Sequence, residues 1–352
     1  MNKRTFLLIL LCLGALSCSK DAGDNTGKDA QDRLSKWMDK YYPGIQPNQD
    51  GPYILTDEPG TGDLRNTELP FIQIRGTIRS LDGTVTNTTE EAMAQQLGNS
   101  RFGNYYGPQF QHMASGYSYA GLDALVRDMR VGGHRVAVIP SWMLTTSRYD
   151  SQQAYLEACT SSEHLIYDIT LVSQCPDAEK AGIARVMNYV SLNYPGTESV
   201  SYVEGAQPDD SFFFISDVSS FDEENKLANE TSVKINYTGK LLNGTVFDTS
   251  IAKVAADARI ASSSRTYEPQ SVTLSSTYSD VSMGSSSSLI NGFKGALSLM
   301  HWKGQKAVVV FSGGHGYGAS GSSNSYGYVI PPYEPLVFEL EILPDEEKED
   351  KE

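Results

Sequence analysis

Val233-Lys-Ile-Asn-Tyr-Thr-Gly-Lys-Leu-Leu-Asn-Gly-Thr-Val-Phe-Asp-Thr-Ser250 alternates apolar and polar residues as far as Leu241 and then reaches a turn. The alternation is that of a half-buried strand. Asn243-Gly244, two residues that tolerate positive φ, signals a hairpin. The same turn is spelled 161 residues earlier as Asp82-Gly83-Thr84-Val85. Working outward, Gly121 to Ile139 matches Gly292 to Val310 at an offset of 171 without gaps, and the same offset pairs Leu165–Leu171 with Leu336–Ile342. Tyr42-Pro43-Gly44 matches Tyr194-Pro195-Gly196 at 152. The offset changes where loops change length, so the chain reads as one domain written twice.

Each copy has the same element order. A short helix (about 30–41 and about 177–192) ends near Tyr-Pro-Gly, which breaks it. In the second copy, strands follow at Phe212–Ile215 and from Val233, then a long Ser-rich insertion at about 251–288. Ile290, Phe293, Leu297 and Met300 share one helical face. Ala307–Phe311 and Leu336–Leu343 are further strands. The expected fold class is α+β, two domains that each wrap a twisted antiparallel sheet over a short helix.

The 352 residues suit two domains. With 28 Lys+Arg against 43 Asp+Glu, the net charge is −15. That argues against a nucleic-acid partner, which needs a basic face, and against a polybasic membrane-surface protein. At 39% hydrophobic residues the chain can bury a sizeable core.

The N-terminus reads Lys3-Arg4, an apolar run from Phe6 to Leu16, then Ser17-Cys18. The run is too short to span a bilayer in a mature protein. A small residue before a cysteine here resembles the lipobox of bacterial lipoproteins, which implies a chain acylated at Cys18 and partnered with a lipid bilayer. An ordinary cleaved signal with an incidental cysteine is the alternative. The localisation that follows is the bacterial cell envelope, on the periplasmic or surface face of the outer membrane. The expected divisions are a signal peptide (1–17), a flexible tether (18–31), the first copy (32–175), a helical linker (176–209), the second copy (210–344) and an acidic tail (345–352). Cys159 and Cys175 flank a strand whose length, about 3.3 Å per residue, works against bringing them together as a disulfide.

Three stretches of the second copy make it recognisable. They are Val233–Ser250, then Leu289-Ile-Asn-Gly-Phe-Lys-Gly-Ala-Leu297 with Met300 and Gly304, then Tyr317-Gly318 with Val329-Ile-Pro-Pro-Tyr-Glu-Pro-Leu-Val-Phe-Glu-Leu-Glu-Ile342. Together they resemble the FKBP family of peptidyl-prolyl cis-trans isomerases over about 210–343. The resemblance implies an enzyme without metal or cofactor, acting on proline-containing polypeptides and assisting the folding of exported proteins. It implies that Tyr237, Phe247 and Phe338 line the walls of the site and that Ile290 offers apolar contact and its backbone N–H. Phe293 forms the floor, Tyr317 offers a hydroxyl, Asp248 is the polar partner at the rim, and Ile330 closes one side. Departures are Phe293 where the family has Trp, and Gln270 where an aromatic is expected. The stretch Ser275–Ser288 also lengthens the approach to Ile290.

The first copy departs further. Thr86-Asn87 stands for Phe247-Asp248, Tyr119 for Ile290, Leu122 for Phe293, Thr146 for Tyr317 and Cys159 for Ile330, while Gly76 or a neighbour stands for Tyr237. Core positions Met129, Val136, Val138, Leu165 and Tyr167 persist. The expectation is a non-catalytic domain with its pocket mostly lost, which holds clients, spaces the second copy from the membrane or docks a partner. The competing functional readings are a non-catalytic peptide-binding or chaperone lipoprotein built on both copies, and an inert envelope scaffold. The oligomeric state is left open by the sequence. Gly314-His-Gly-Tyr-Gly318 leads into no helix and so is not read as a phosphate loop. His315 near Ser312 lacks a nucleophile elbow. No His/Cys spacing fits a metal, and His112, His134, His164 and His301 are expected at the surface or at strand edges.

Overall fold

The computed structural model describes residues 26–49, 51–284 and 289–344. Cys18, the signal segment and the acidic tail 345–352 lie outside them. Helix α1 (Thr26–Tyr41) opens the first copy, so residues 26–31 of the expected tether are helical. After it come β1 (Tyr53–Glu58), β2 (Phe71–Ser80), β3 (Val85–Thr88), α2 (Glu91–Gln96), β4 (Gln109–His112), α3 (Ala120–Val126), β5 (His134–Ile139), α4 (Gln152–Glu157) and β6 (Leu165–Cys175). The second copy runs α5 (Ala178–Asn193), β7 (Phe212–Ile215), β8 (Ser232–Leu241), β9 (Val246–Thr249), α6 (Ala252–Asp257), β10 (Gln270–Thr273), β11 (Ser282–Met283), α7 (Asn291–Ser298), β12 (Lys306–Phe311), β13 (Ser322–Asn324), β14 (Gly327–Ile330) and β15 (Leu336–Ile342).

The two antiparallel sheets are ordered alike. The first runs β1-β5-β6-β2, with β3 and β4 both on β2, and the second runs β7-β12-β15-β8, with β9 and β10 both on β8. Matching bonds repeat in each. Thr77 and Thr88 share a hydroxyl hydrogen bond of 2.9 Å, as do Thr238 and Thr249. The Gly76 N–H donates to the Thr89 hydroxyl at 2.8 Å, and the Tyr237 N–H donates to the Ser250 hydroxyl at 2.9 Å. Helices α3 and α7 are too short to stand alone in water. They are fixed by burying Leu122, Leu125 and Val126, or Phe293, Ala296 and Leu297, against their sheets.

Two alignments are corrected. Ile139 pairs with Leu165, and Phe311 pairs with Leu336. Strand β12 is therefore offset by 172 from β5, and one residue is inserted after Met300. The match is not gapless. The same shift places Thr145, not Thr146, at the position of Tyr317, because Leu144 N–Ser141 O repeats as Gly316 N–Gly313 O. Nor is 251–288 an insertion throughout. Arg101 N donates to the Tyr106 hydroxyl at 3.0 Å, and Ser262 N donates to the Tyr267 hydroxyl at 3.0 Å, again 161 residues on. The connection holding α6 therefore has the same length in both copies, and the added chain lies between β10 and α7.

The copies touch. Tyr333 meets Phe71 and Phe110 edge-on. Asn104 and Asn324 exchange carboxamide bonds of 2.9 and 3.2 Å, and the Tyr105 N–H donates to the Tyr328 carbonyl at 2.8 Å. Helix α5 is part of the second copy's body rather than a linker. Its Val186 and Val190 bury against Phe213, Val310 and Val337. Cys159 and Cys175 are free thiols.

Candidate functional site

The second sheet brings Tyr237, Phe247, Phe293 and Phe338 together. Ring centroids lie 5.6 Å apart for Tyr237–Phe293, 5.1 Å for Phe293–Phe338 and 5.6 Å for Phe247–Phe338, all near edge-to-face. This is the favoured geometry for aromatic pairs. The cluster exists because the strands alternate. Tyr237 on β8 faces Leu340 across the ladder, and Phe338 on β15 faces Gly239. A Cβ at Gly239 would lie 2.6 Å from Phe247 Cζ and 2.9 Å from Phe338 Cε1, so only glycine lets both rings lie over β8. Phe293 is set by α7, whose N-cap is Ile290. Ile330 ends β14, buried in the same core.

Polar groups sit at the rim. Asp248 accepts from the Tyr237 hydroxyl at 2.9 Å and from the Thr249 N–H at 2.8 Å. Arg265 pairs with Asp248 and donates to the Tyr237 hydroxyl oxygen at 2.9 Å and the Thr249 carbonyl at 3.1 Å. Burial, then the charge of Asp248, pushes the Tyr237 pKa up to about 12, so the hydroxyl stays a donor. Arg265 is the residue the sequence reading missed. It follows Phe-Asp-Thr-Ser in a stretch read as Ser-rich insertion, and a cation set directly after Ser262-Ser-Ser264 was the available signal. Tyr317 is partly exposed, and its hydroxyl has no partner among the described residues. Burial and then the Asp248 charge raise its pKa.

The loop that carries Tyr317 is pinned by His315. The Tyr202 hydroxyl donates to Nδ1 at 2.7 Å, and Nε2 donates to the Ser211 hydroxyl oxygen at 2.7 Å. Ser211 in turn bonds Asp209. Burial holds the His315 pKa below its ordinary value. His315 thus pairs with Ser211 rather than with Ser312, whose hydroxyl is buried without a partner among the described residues. His164, expected at the surface or at a strand edge, directly precedes β6 and is only 4% exposed. Among the described residues no group of three His, Cys, Asp or Glu could hold a metal, and no helix is long and apolar enough to cross a membrane.

In the first copy, β-register assigns Gly76 to the Tyr237 position, Asn87 to Asp248 and Tyr167 to Phe338. A hollow of about 340 Å³ remains there, lined by Gly76, Asn87, Tyr119, Leu122 and Tyr167 among others. The pocket is therefore relined rather than lost.

An FKBP-type domain lies in the C-terminal region, where the family model for FKBP-type peptidyl-prolyl cis-trans isomerase matches residues 223–343. No curated protein matches the chain. Among solved structures, a peptidyl-prolyl cis-trans isomerase of Pseudomonas syringae pv. tomato is 23% identical over 47% of this chain and 91% of its own, with a TM-score of 0.30. The three FKBP domains of wheat FKBP73 are 16% identical over 83% of this chain and 93% of theirs, with a TM-score of 0.27. FkpA from Escherichia coli is 21% identical over 47% of this chain and 59% of its own, with a TM-score of 0.30.

Proposed function

We propose that residues 210–344 act as a peptidyl-prolyl cis-trans isomerase on exported polypeptides, and that the first copy is non-catalytic. The observation that carries this reading is the meeting of Phe247, Phe293 and Phe338 beside the braced Asp248–Tyr237 pair. Rotation about an Xaa-Pro bond must overcome amide resonance, a barrier of about 20 kcal/mol, and makes or breaks no covalent bond. An aromatic, water-poor surface disfavours the charge-separated planar amide relative to the twisted one. A site that fits the twisted form better lowers the barrier by differential binding. Phe293 is the platform for the pyrrolidine ring, and Phe247 and Phe338 are the walls. Ile290 supplies its N–H, Tyr317 supplies its free hydroxyl to the bound peptide's carbonyls, and Ile330 closes one side. The assay is cis-to-trans relaxation of a proline tetrapeptide with the full chain. We expect acceleration proportional to protein concentration and a loss of about tenfold or more in Phe247→Ala, or about 1.4 kcal/mol. An uncatalysed rate that is unchanged by the wild-type chain overturns the reading.

The chain is proposed to be an envelope lipoprotein anchored at Cys18, with residues 18–25 as the tether. Several acyl chains give lasting attachment, at about 0.8 kcal/mol per buried methylene. Intact mass of the protein extracted from membranes is expected to carry the acyl groups at Cys18. A full-length or plainly cleaved, unmodified chain contradicts the anchor.

A further inference from the structure

We infer that the hollow of the first copy is a second binding site, which takes a neutral polar side chain of an extended polypeptide instead of a proline ring. Its lining is the second copy's site rewritten. Phe338 becomes Tyr167, which adds a hydroxyl at the back wall. Tyr237 becomes Gly76, which removes the ring that fills the second site. The change is built in, because Gly76 has φ +149° and a Cβ there would lie 2.0 Å from the Asp168 carbonyl oxygen. Ile290 becomes Tyr119, the N-cap of α3, which is 42% exposed at the mouth.

The decisive group is Tyr167. It is 3% exposed, lines the hollow, and has no hydrogen-bond partner among the described residues. Its side chain forms part of the wall of that hollow. Burial raises its pKa, which keeps the proton on and the hydroxyl able to donate. A buried hydroxyl left unpaired is costly, and a ligand group that pairs with it recovers that cost. Around it stand the carboxamides of Gln109, Gln111 and Asn87, which likewise make no hydrogen bond to the described residues. Arg75 is the charged group in the lining, and Glu90 pairs with it at 3.7 Å. Such a surface offers donors and acceptors together and no net charge, so it fits Asn, Gln, Ser or Thr better than an acid, a base or a bare apolar ring. Tyrosine with Asn and Ser is also the composition by which polypeptide-binding loops combine contact area with adaptable hydrogen bonding.

The site is completed by the other copy. Tyr328 of β14 forms one wall, held by the Tyr105–Tyr328 backbone bond and the Asn104–Asn324 pair. The hairpin that carries Tyr328 also carries Ile330 of the second site. Neither site rests on the other's activity, and the experiment reads them separately.

The full chain is titrated calorimetrically with a capped, proline-free hexapeptide, Gly-Ser-Asn-Gln-Ser-Gly, and with a control in which Leu and Met replace Asn and Gln. The expected result is one saturable site for the polar peptide and about fivefold or more weaker binding of the control. Tyr167→Phe is expected to weaken the polar peptide about fivefold and leave the control and the proline-tetrapeptide relaxation rate unchanged. Asn87→Ala, at an exposed position, repeats the test should Tyr167→Phe lower the melting point. No saturable binding, equal binding of both peptides, an unchanged affinity in both variants, or saturable binding of maltotriose in place of the peptide each overturns the proposal.

Discussion

Helix α1 of the first copy and α5 of the second occupy the same place and bury the same face, Ala30, Leu34 and Met38 in one and Gly182, Val186 and Val190 in the other. They are fastened differently. Arg185 on α5 makes two bonds of 2.8 Å to Glu334, which is 5% exposed, and Glu179 accepts from the Gly314 N–H at 2.8 Å. In α1 the polar tie is His164, whose Nε2 donates to the Ala30 carbonyl at 3.1 Å while Nδ1 accepts from the Ser141 N–H at 3.0 Å. His164 stands where the second copy has Pro335. One frame therefore tolerates either an ion pair or a neutral imidazole, and only the imidazole must lose an accepted bond when it takes a proton.

The largest expected effect follows from that contrast. Burial, and then the nearby charge of Arg33, hold the His164 pKa at about 4 against an ordinary 6.5, opposed by the Ala30 bond. Above pH 6.5 the imidazole is neutral in folded and unfolded chains and costs nothing. Between 6.5 and about 4 the unfolded chain takes up the proton and the folded chain does not, so stability falls with pH. At about 1.4 kcal/mol per pH unit the loss approaches about 3 kcal/mol. His164→Gln keeps a donor and an acceptor without titrating, and its unfolding free energy should fall less over the same range. Fluorescence of Trp37 and Trp142, both in the first core, reads this copy, and Trp302 reads the other. Equal acid slopes in wild type and His164→Gln would remove the distinction between the two helices.

The duplication and the sheet were legible because strand alternation and the Asp82-Gly83 and Asn243-Gly244 turns survive as local sequence patterns. The aromatic set of the second site was legible for a different reason, since Phe247, Phe293 and Phe338 each sit inside a stretch whose neighbours are also recognisable. What escaped depends on the third dimension. A single added residue after Met300 leaves the apolar alternation of β12 intact in appearance, because Val308, Val309 and Val310 are alike, and only pairing with β15 reveals the shift. His164 looks like any strand-edge histidine until α1 is laid over it. The first site looked empty because its large apolar residues were gone, whereas Gly76 and Tyr167 had replaced ring surface with space and a hydroxyl.

Arg265 and Asn104 give the comparison its finest test. They occupy the same position in loops of equal length, 161 residues apart, between helices α2 or α6 and strands β4 or β10. Arg265 turns inward, to Asp248 and Tyr237 of its own copy. Asn104 turns outward, to Asn324 of the other copy. The first has become a positioning residue for a site and the second a fastening between domains. Arg265→Ala leaves Asp248 bonded by Tyr237 and the Thr249 N–H, so the rim loosens rather than collapses. Proline-peptide relaxation should slow by about three- to tenfold, or about 0.7–1.4 kcal/mol, with the thermal midpoint nearly unchanged. Arg265→Lys, which cannot span both acceptors as a planar fork, should recover only part of the rate. Asn104→Ala should instead leave relaxation within about twofold and cost about 1 kcal/mol of stability through the two carboxamide bonds lost to Asn324. If the two substitutions behave alike, the matched loops do the same work in both copies, and the division into a positioning and a fastening role fails.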